Sequence, residues 1–303
     1  MSDPASPPVD DRPFVSRQER FDRVASTNDV VRAWLADGAP EVCLAVSDEQ
    51  TAGRGRDGRT WLAPPGAGLL LSIGFRPTWL APERAWRLAA IVSLAMADAA
   101  EEVGGLPDRS IRLKWPNDLV VETTGVAGAR LANASGPEAG RLLAAPLDVR
   151  KLGGVLGETI GLGTTDPRVI IGLGLNADWA AADFPPELAG AMTSLRVASN
   201  GRAVDLGALF AAFIDRVETR TVGLRAGHFD VADWVDRQLT NGRPVRLELP
   251  GGTSIETRAL GVDVLSGGLV IEDPDAPGGE RTILTGEIHH LRLPPPVLPG
   301  SRV

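Results

Sequence analysis

The texture of the sequence changes near Thr240–Asn241–Gly242. Before that point, strand-like and helix-like segments alternate. After it, as far as residue 293, only short strand-like runs appear: PVRLEL, SIETRALGVD, GLVIED, RTILTG and IHHLRL, separated by Gly, Pro, Asn and Asp. Runs of that length and spacing predict a small β-barrel. The chain therefore divides into a large unit over 21–240 and a small all-β unit over 241–293, with tails at 1–20 and 294–303. A chain of 303 residues accommodates both.

In the large unit, STNDVVRAWLADG (26–38) has apolar residues at helical spacing, with Ser26 at the N-cap position and Gly38 at the end. EVCLAVS (41–47) and LLLSIGFR (69–76) read as buried strands, and 81–104 as a long alanine-rich helix. SIRLKWPNDLVVE (110–122) reads as two strands joined by a tight turn, because Pro116 breaks the ladder and Asn-Asp is turn chemistry. Residues 150–160 and 168–178 are glycine-bearing strands, and 205–225 and 229–239 are helices. The Ala- and Gly-rich stretch 123–148 interrupts this regularity and reads as an inserted loop.

Residues 1–20 are polar and proline-rich, lack the apolar core of a signal peptide, and read as a disordered tail. No stretch reaches the roughly 18 continuous apolar residues of a membrane span. A net charge of −8 argues against a nucleic-acid partner, because phosphate binding needs a positive field. The single cysteine, Cys43, excludes an internal disulfide framework, suits a cytoplasmic location and reads as core packing.

In this acidic chain, DEQTAGRGRDGRTW (48–61) stands out: three arginines and three glycines fall between Gly53 and Arg59. Glycines let backbone amides approach an oxyanion, and guanidinium forks match phosphate or carboxylate oxygens. The loop fits neither a Walker A sequence nor a dinucleotide fingerprint. Taken alone, it could equally be a solvated charged turn. Lys114 ends a strand before a rigid turn, where its ammonium could meet charge growing on a reacting phosphate, or simply lie exposed. Gly153 and Gly154 could line a pocket floor and Asn176 could bind a ligand, or all three could serve strand packing. His228, His289 and His290 have no metal-ligand spacing, so no protein metal site is expected. No nucleophile elbow is present. Chemistry here would work by positioning and electrostatics on substrates that bring their own nucleophile.

Taken in order, STN (26–28), QTAGRGRDGRTW (50–61), LSI (71–73), RLKWPNDLVV (112–121), RKLGGVLGE (150–158) and VIIGLGLN (169–176) resemble the biotin protein ligases, also called biotin–[acetyl-CoA-carboxylase] ligases. The resemblance spans 21–293 and includes GEI (286–288) in the small unit. It implies an α+β fold, a mixed β-sheet flanked by helices as in class II synthetase cores, followed by an SH3-like β-barrel. It also implies two steps: biotin and ATP, with Mg²⁺, give biotinyl-5′-AMP, and a lysine of a biotin carboxyl carrier domain then takes the biotinyl group. Such carriers belong to acetyl-, propionyl- and pyruvate-type carboxylases.

By the same resemblance, Ser26, Thr27, Asn28 and Gln50 read the ureido ring of biotin. Gly53, Arg54, Gly55 and Arg56 form the biotin and adenylate loop, with Arg54 toward biotin and Arg56 toward phosphate or carboxylate. Trp61 orders that loop. Lys114 is the main electrostatic catalyst, with Arg54 and Arg56 beside it. Arg56, Arg59, Trp61, Asn117 and Asn176 lie near the nucleotide, Asp118 holds the turn, and Gly153 and Gly154 line the pocket. The loop is expected to be mobile until its anion arrives.

Asp57 departs from the family pattern by placing an acid inside the arginine cluster. Only residues 1–20 precede the match, so a monofunctional ligase without a DNA-binding module is expected. A monomer and a homodimer both remain open. The competing readings are a lipoate- or octanoyl-transferring protein, whose Gly-Gly-Gly loop is absent here, and a non-catalytic biotin or nucleotide sensor.

Overall fold

The computed structural model describes residues 14–122 and 148–290. The tail expected at 294–303, most of the insertion at 123–148 and the first part of the N-terminal tail lie outside the described residues.

Seven strands form the main sheet: β1 (Arg17–Val24), β2 (Cys43–Gln50), β3 (Gly68–Phe75), β4 (Ile111–Lys114), β5 (Asp118–Glu122), β6 (Val149–Ile160) and β7 (Arg168–Asn176). Their order is β1-β2-β3-β7-β6-β5-β4. The β1–β2 pair is parallel and the others are antiparallel, so the sheet is mixed. Helix α1 (Thr27–Ala36) covers one face, while the long α2 (Trp86–Gly104) and the Leu206–Arg225 helix pack together on the other.

Strand alternation sorts the core between these faces. Cys43 and Ala45 join Val31 and Leu35 beneath α1, whereas Leu44 and Val46 face α2. Every residue of β3 is buried, as both faces are covered. Gly74 permits the close approach of α1: a Cβ there would stand 2.6 Å from both Cys43 Sγ and Val31 Cγ1.

A second, antiparallel sheet has the order β11-β10-β9-β8-β12. It comprises β8 (Pro244–Glu248), β9 (Ser254–Val262), β10 (Leu269–Glu272), β11 (Glu280–Ile283) and β12 (Glu287–His290). Its apolar core includes Val245, Leu247, Leu269 and Ile288, and it closes around a residue of the large unit, Trp115. The strands match the expected short runs, and the arrangement is compatible with a small barrel. No helix among the described residues is long and apolar enough to cross a membrane.

Two local expectations need correction, and a third is refined. The tail expected over 1–20 runs too far, because Arg17–Val24 is the edge strand β1. Its sequence RQERFDRV hides the strand: an edge strand carries charges that keep other chains from pairing with it. Its side chains are held by contacts such as Phe21 against Trp34, the Arg17 guanidinium 4.0 Å above the Trp34 ring, and the Arg20–Asp48 ion pair. The helix expected over 229–239 is confined to Val231–Asp236, after which Arg237 and Leu239 pair with Leu113 of β4. Ser26 occupies the N-cap of α1 but makes no capping bond. Gln50 Oε1 takes that role, accepting from Thr27 N at 2.8 Å.

Candidate active site

A cleft of about 480 Å³ opens on the α1 face of the main sheet. Small residues make its floor. Ser72 of β3 stands opposite Gly172 of β7, and Gly154 of β6 stands opposite Gly174. A Cβ at Gly172 would lie 2.3 Å from Asn28 Oδ1, and one at Gly174 would lie 2.5 Å from the Trp61 indole. The glycines therefore let Asn28 and Trp61 rest directly on the sheet.

One end of the cleft is polar and neutral. Gln50 Oε1 accepts from Thr27 N and from Thr27 Oγ1, at 2.8 and 3.1 Å. Ser72 Oγ lies 2.7 Å from Thr27 Oγ1 and 2.6 Å from Asn28 Oδ1. Asn28 Nδ2 donates to Glu158 at 2.8 Å. With its oxygen thus engaged, Gln50 keeps its amide N–H groups for a ligand. Ser26 also lines this end.

The basic loop folds as a tight hairpin over the cleft. Gly55 N bonds Arg59 O at 2.7 Å and Trp61 N bonds Gly53 O at 2.9 Å. Gly53 must be glycine, since a Cβ would meet Trp61 O at 2.6 Å. Asp57 sits at the tip in the left-handed region, φ 54°. Each guanidinium of the loop has a protein acceptor. Arg54 forms a two-bond fork on Asp29 at 2.7 and 2.8 Å and approaches Glu158 at 3.4 Å. The Arg54 hydrogen bond holds the Asp29 carboxyl below its ordinary pKa, and Asp29 in turn raises that of Arg54. Arg56 donates to Gly286 O and Thr285 Oγ1 at 3.1 and 3.2 Å, and Arg59 pairs with Glu287 of β12.

Across the cleft, Lys114 faces Asp118 over the β4–β5 turn. Burial lowers its pKa from the ordinary 10.5; Asp118 and Glu287 counteract this, and Lys151 and Arg59 add to it. Lys151 is the residue that strand reasoning missed. Its Nζ lies 2.7 Å from Asp118 and 5.4 Å from the centre of the Trp61 ring. Simple alternation along β6 would put Leu152, not Lys151, on the same face as Gly154. Instead the register shifts, with Leu119 opposite Gly153 but Val120 opposite Lys151. The extra residue, Leu152, turns into the core beneath α2, and Lys151 swings onto the cleft. Nothing in the residue pattern RKLGGVLGE marks that bulge.

Of the residues singled out from sequence, Ser26, Thr27, Asn28, Gln50, Arg54, Gly55, Arg56, Arg59, Trp61, Lys114, Asn117, Asp118 and Gly154 border this one cleft. Gly53, Gly153 and Asn176 do not. Gly153 packs against Gly174 O and Leu175. Asn176 is fully buried behind the wall, donating to Thr193 O at 3.0 Å. Asn117 ties the turn to β6, both by its Nδ2 and by its carbonyl, which bond Val155 at 2.8 and 2.9 Å. Leu188, Ala191 and Met192 add an apolar wall that the sequence reading did not anticipate. Among the described residues no group of three or more His, Cys, Asp or Glu is placed to hold a metal ion.

Residues 20–176 match the model of the Biotin/lipoate A/B protein ligase family. A biotin--[acetyl-CoA-carboxylase] ligase of Mycobacterium tuberculosis is 30% identical over 299 residues, covering 94% of this chain and 97% of the relative. The bifunctional ligase/repressor BirA of Bacillus subtilis is 28% identical over 244 residues, covering 80% of this chain and 65% of the relative. Among solved structures, a biotin protein ligase from Aquifex aeolicus in complex with biotin and ATP shares the fold, with a TM-score of 0.67, 24% identity, and coverage of 91% of this chain and 99% of that one.

Proposed function

The chain belongs to the biotin/lipoate A/B protein ligase family, and from that premise we propose that it is an ATP-dependent biotin–protein ligase acting through biotinyl-5′-AMP. One observation carries the reading: Arg54, Arg56, Arg59, Lys114 and Lys151 all border a single cleft in an acidic chain, with a neutral polar end beside them.

The ureido ring of biotin offers one carbonyl and two N–H groups, which suits the Thr27–Gln50 end. The carboxylate then points along the floor toward the lysines. There it must approach the triphosphate of ATP. Two unit charges 4 Å apart repel by about 4 kcal/mol where the effective dielectric constant is near 20. The converging cations offset that repulsion. Lys114 and Lys151 stand where charge accumulates as the carboxylate oxygen attacks the α-phosphorus and pyrophosphate leaves. When bound with ATP, Mg²⁺ would supply a counter-ion to the triphosphate, its usual mode of binding. Trp61, Leu188 and Met192 provide an apolar wall for the base.

Arg54 and Arg59 hold carboxylates and Arg56 holds a carbonyl and a hydroxyl, acceptors that stand in for the ligand's oxygens until substrate binds. In the second step, a lysine amine of a biotin carboxyl carrier domain attacks the acyl carbon and AMP leaves. The carriers are those of acetyl-, propionyl- or pyruvate-type carboxylases, and the cytoplasm is the compartment that fits. Asn117 and Asn176 act here by holding the turn and the wall behind the nucleotide.

The test is direct. The protein with biotin and MgATP should release pyrophosphate and accumulate biotinyl-AMP. Biotin should raise its melting temperature and lipoate should not. Stabilisation by lipoate alone would replace this reading with lipoyl transfer.

A further inference from the structure

A second cavity, of about 360 Å³, opens on the far side of the Lys114–Asp118 turn. Both cavities are walled by Arg56, Lys114, Asn117, Asp118 and Leu156. Beyond that shared wall the second has an apolar side formed by Trp86, Ala89 and Ala90 of α2, Trp234 and Leu284. Its remaining polar lining includes Gln238, which is 5% exposed and whose Oε1 has no hydrogen-bond partner. Buried amides are normally satisfied, so an orphaned one beside a cavity marks a place for a ligand.

The rim of this cavity is unusual in two ways. Leu265 and Leu284 are 69% and 70% exposed. They flank Ser266 and Gly267, which line the opening. Beside them, Trp86 donates to Leu265 O at 3.0 Å, and the neighbouring Arg87 packs 5.0 Å from the Phe229 ring. Arg87 donates to Val264 O at 3.4 Å, next to Leu265, while its Nε is buried without a partner. Arg87, with the exposed Arg84 near it, and two exposed leucines thus stand beside one opening.

The use of the opening rests on the ligase reading above. Once the adenylate has formed, it fills the first cleft, and the acceptor amine needs another approach to the acyl carbon. We propose that the second cavity admits the acceptor lysine of the carrier domain, and that the carrier docks on Leu265, Leu284, Arg84 and Arg87 through an aliphatic surface edged with acidic side chains. A lysine is an apolar four-carbon stem with a charged end. Apolar walls suit the stem and favour the neutral, nucleophilic amine. The first proton leaves as the ammonium enters. The nitrogen then attacks the acyl carbon, a C–N bond forms, and the C–O bond to phosphate breaks. AMP departs with the electron pair, and the second proton passes from nitrogen to water.

Two variants test this outside the adenylating residues. Arg84→Glu with Leu284→Asp alters the rim. Ala89→Phe narrows the cavity from a half-buried helical position. Each is assayed for pyrophosphate release with biotin and MgATP, for transfer to a carrier domain of acetyl-CoA carboxylase, and for transfer to hydroxylamine. The expected result is pyrophosphate release and hydroxylamine transfer within about twofold of wild type. Carrier KM should rise at least about tenfold in the rim variant and carrier kcat should fall at least about tenfold in Ala89→Phe. Carrier transfer at the wild-type rate in the rim variant overturns the docking surface. If Ala89→Phe fails to fold, the rim variant decides. Equal loss of hydroxylamine and carrier transfer also overturns the proposal, since the damage then lies at the adenylate. Absence of pyrophosphate release from the wild-type protein removes the ligase reading itself, and is seen before any variant is made.

Discussion

Lys114 is held at the cleft in surroundings whose desolvation lowers its pKa, so its ammonium gains from a bound anion. Because its pKa is lowered mainly by burial, the folded chain binds fewer protons than the unfolded chain between that lowered value and 10.5. Through this group, stability therefore rises with pH across that window. Activity should move the other way, since adenylation needs the charged ammonium. The initial rate of pyrophosphate release is expected to fall at a pH below 10.5, and Lys114→Arg should move that fall to higher pH. An unchanged profile in Lys114→Arg would assign the titration elsewhere. The floor makes a second demand on single atoms. Gly172→Ala places a methyl against Asn28, which is already bonded to Ser72 and Glu158 and cannot move freely. Biotin affinity should drop at least about tenfold with little change in fold, as isothermal titration calorimetry would show. At this scale the loop and Lys114 were legible because unusual residues were clustered. Lys151 was not, because a bulge decides its direction, and the adjoining glycines do not say which residue is the extra one.

Between elements, the position of β4 depends on one buried guanidinium. Arg237 is 1% exposed and pairs with Glu101, Asp98 and Asp233. Arg237 donates to Ile111 O at 2.8 Å while Glu101 accepts from Ile111 N at 2.7 Å. Together they clamp both backbone groups of the residue that begins β4, three positions before Lys114. Removing Arg237 leaves the buried Glu101 carboxylate without its cation, while Asp98 and Asp233 keep Arg220. Arg237→Ala should cost about 3–5 kcal/mol, read as a lower urea midpoint. A loss below about 1 kcal/mol would show the clamp to be dispensable. The strands were readable in the sequence wherever both faces are covered, as in β3. Strand β1 was not, because its outward side chains are charged. The end of the Val231–Asp236 helix was missed because Arg237 leaves it for a tertiary partner, a preference no helical periodicity records.

In the whole molecule, the small sheet lines the cleft through Glu287 and Ile288. Trp115, between Lys114 and Pro116, is 4% exposed inside the core of the second sheet and donates to Gly267 O at 3.1 Å. Arg56 and Arg59 reach Thr285, Gly286 and Glu287 of the same sheet. Both groups of cations are thus aligned by one partner. Trp115→Ala should cost about 3–5 kcal/mol of stability and slow adenylation more than it weakens biotin binding. The texture change near residue 241 foretold the small sheet, but not that its core would close on a tryptophan from the turn. That contact joins segments more than a hundred positions apart, beyond the reach of local pattern.

The most direct measurement compares Lys114→Ala with wild type for pyrophosphate release at saturating biotin and MgATP, with biotin affinity measured in parallel. A fall of about a hundredfold or more in release, with biotin affinity nearly kept, is expected if the ammonium stabilises charge at the reacting phosphate. Release at the wild-type rate would contradict it.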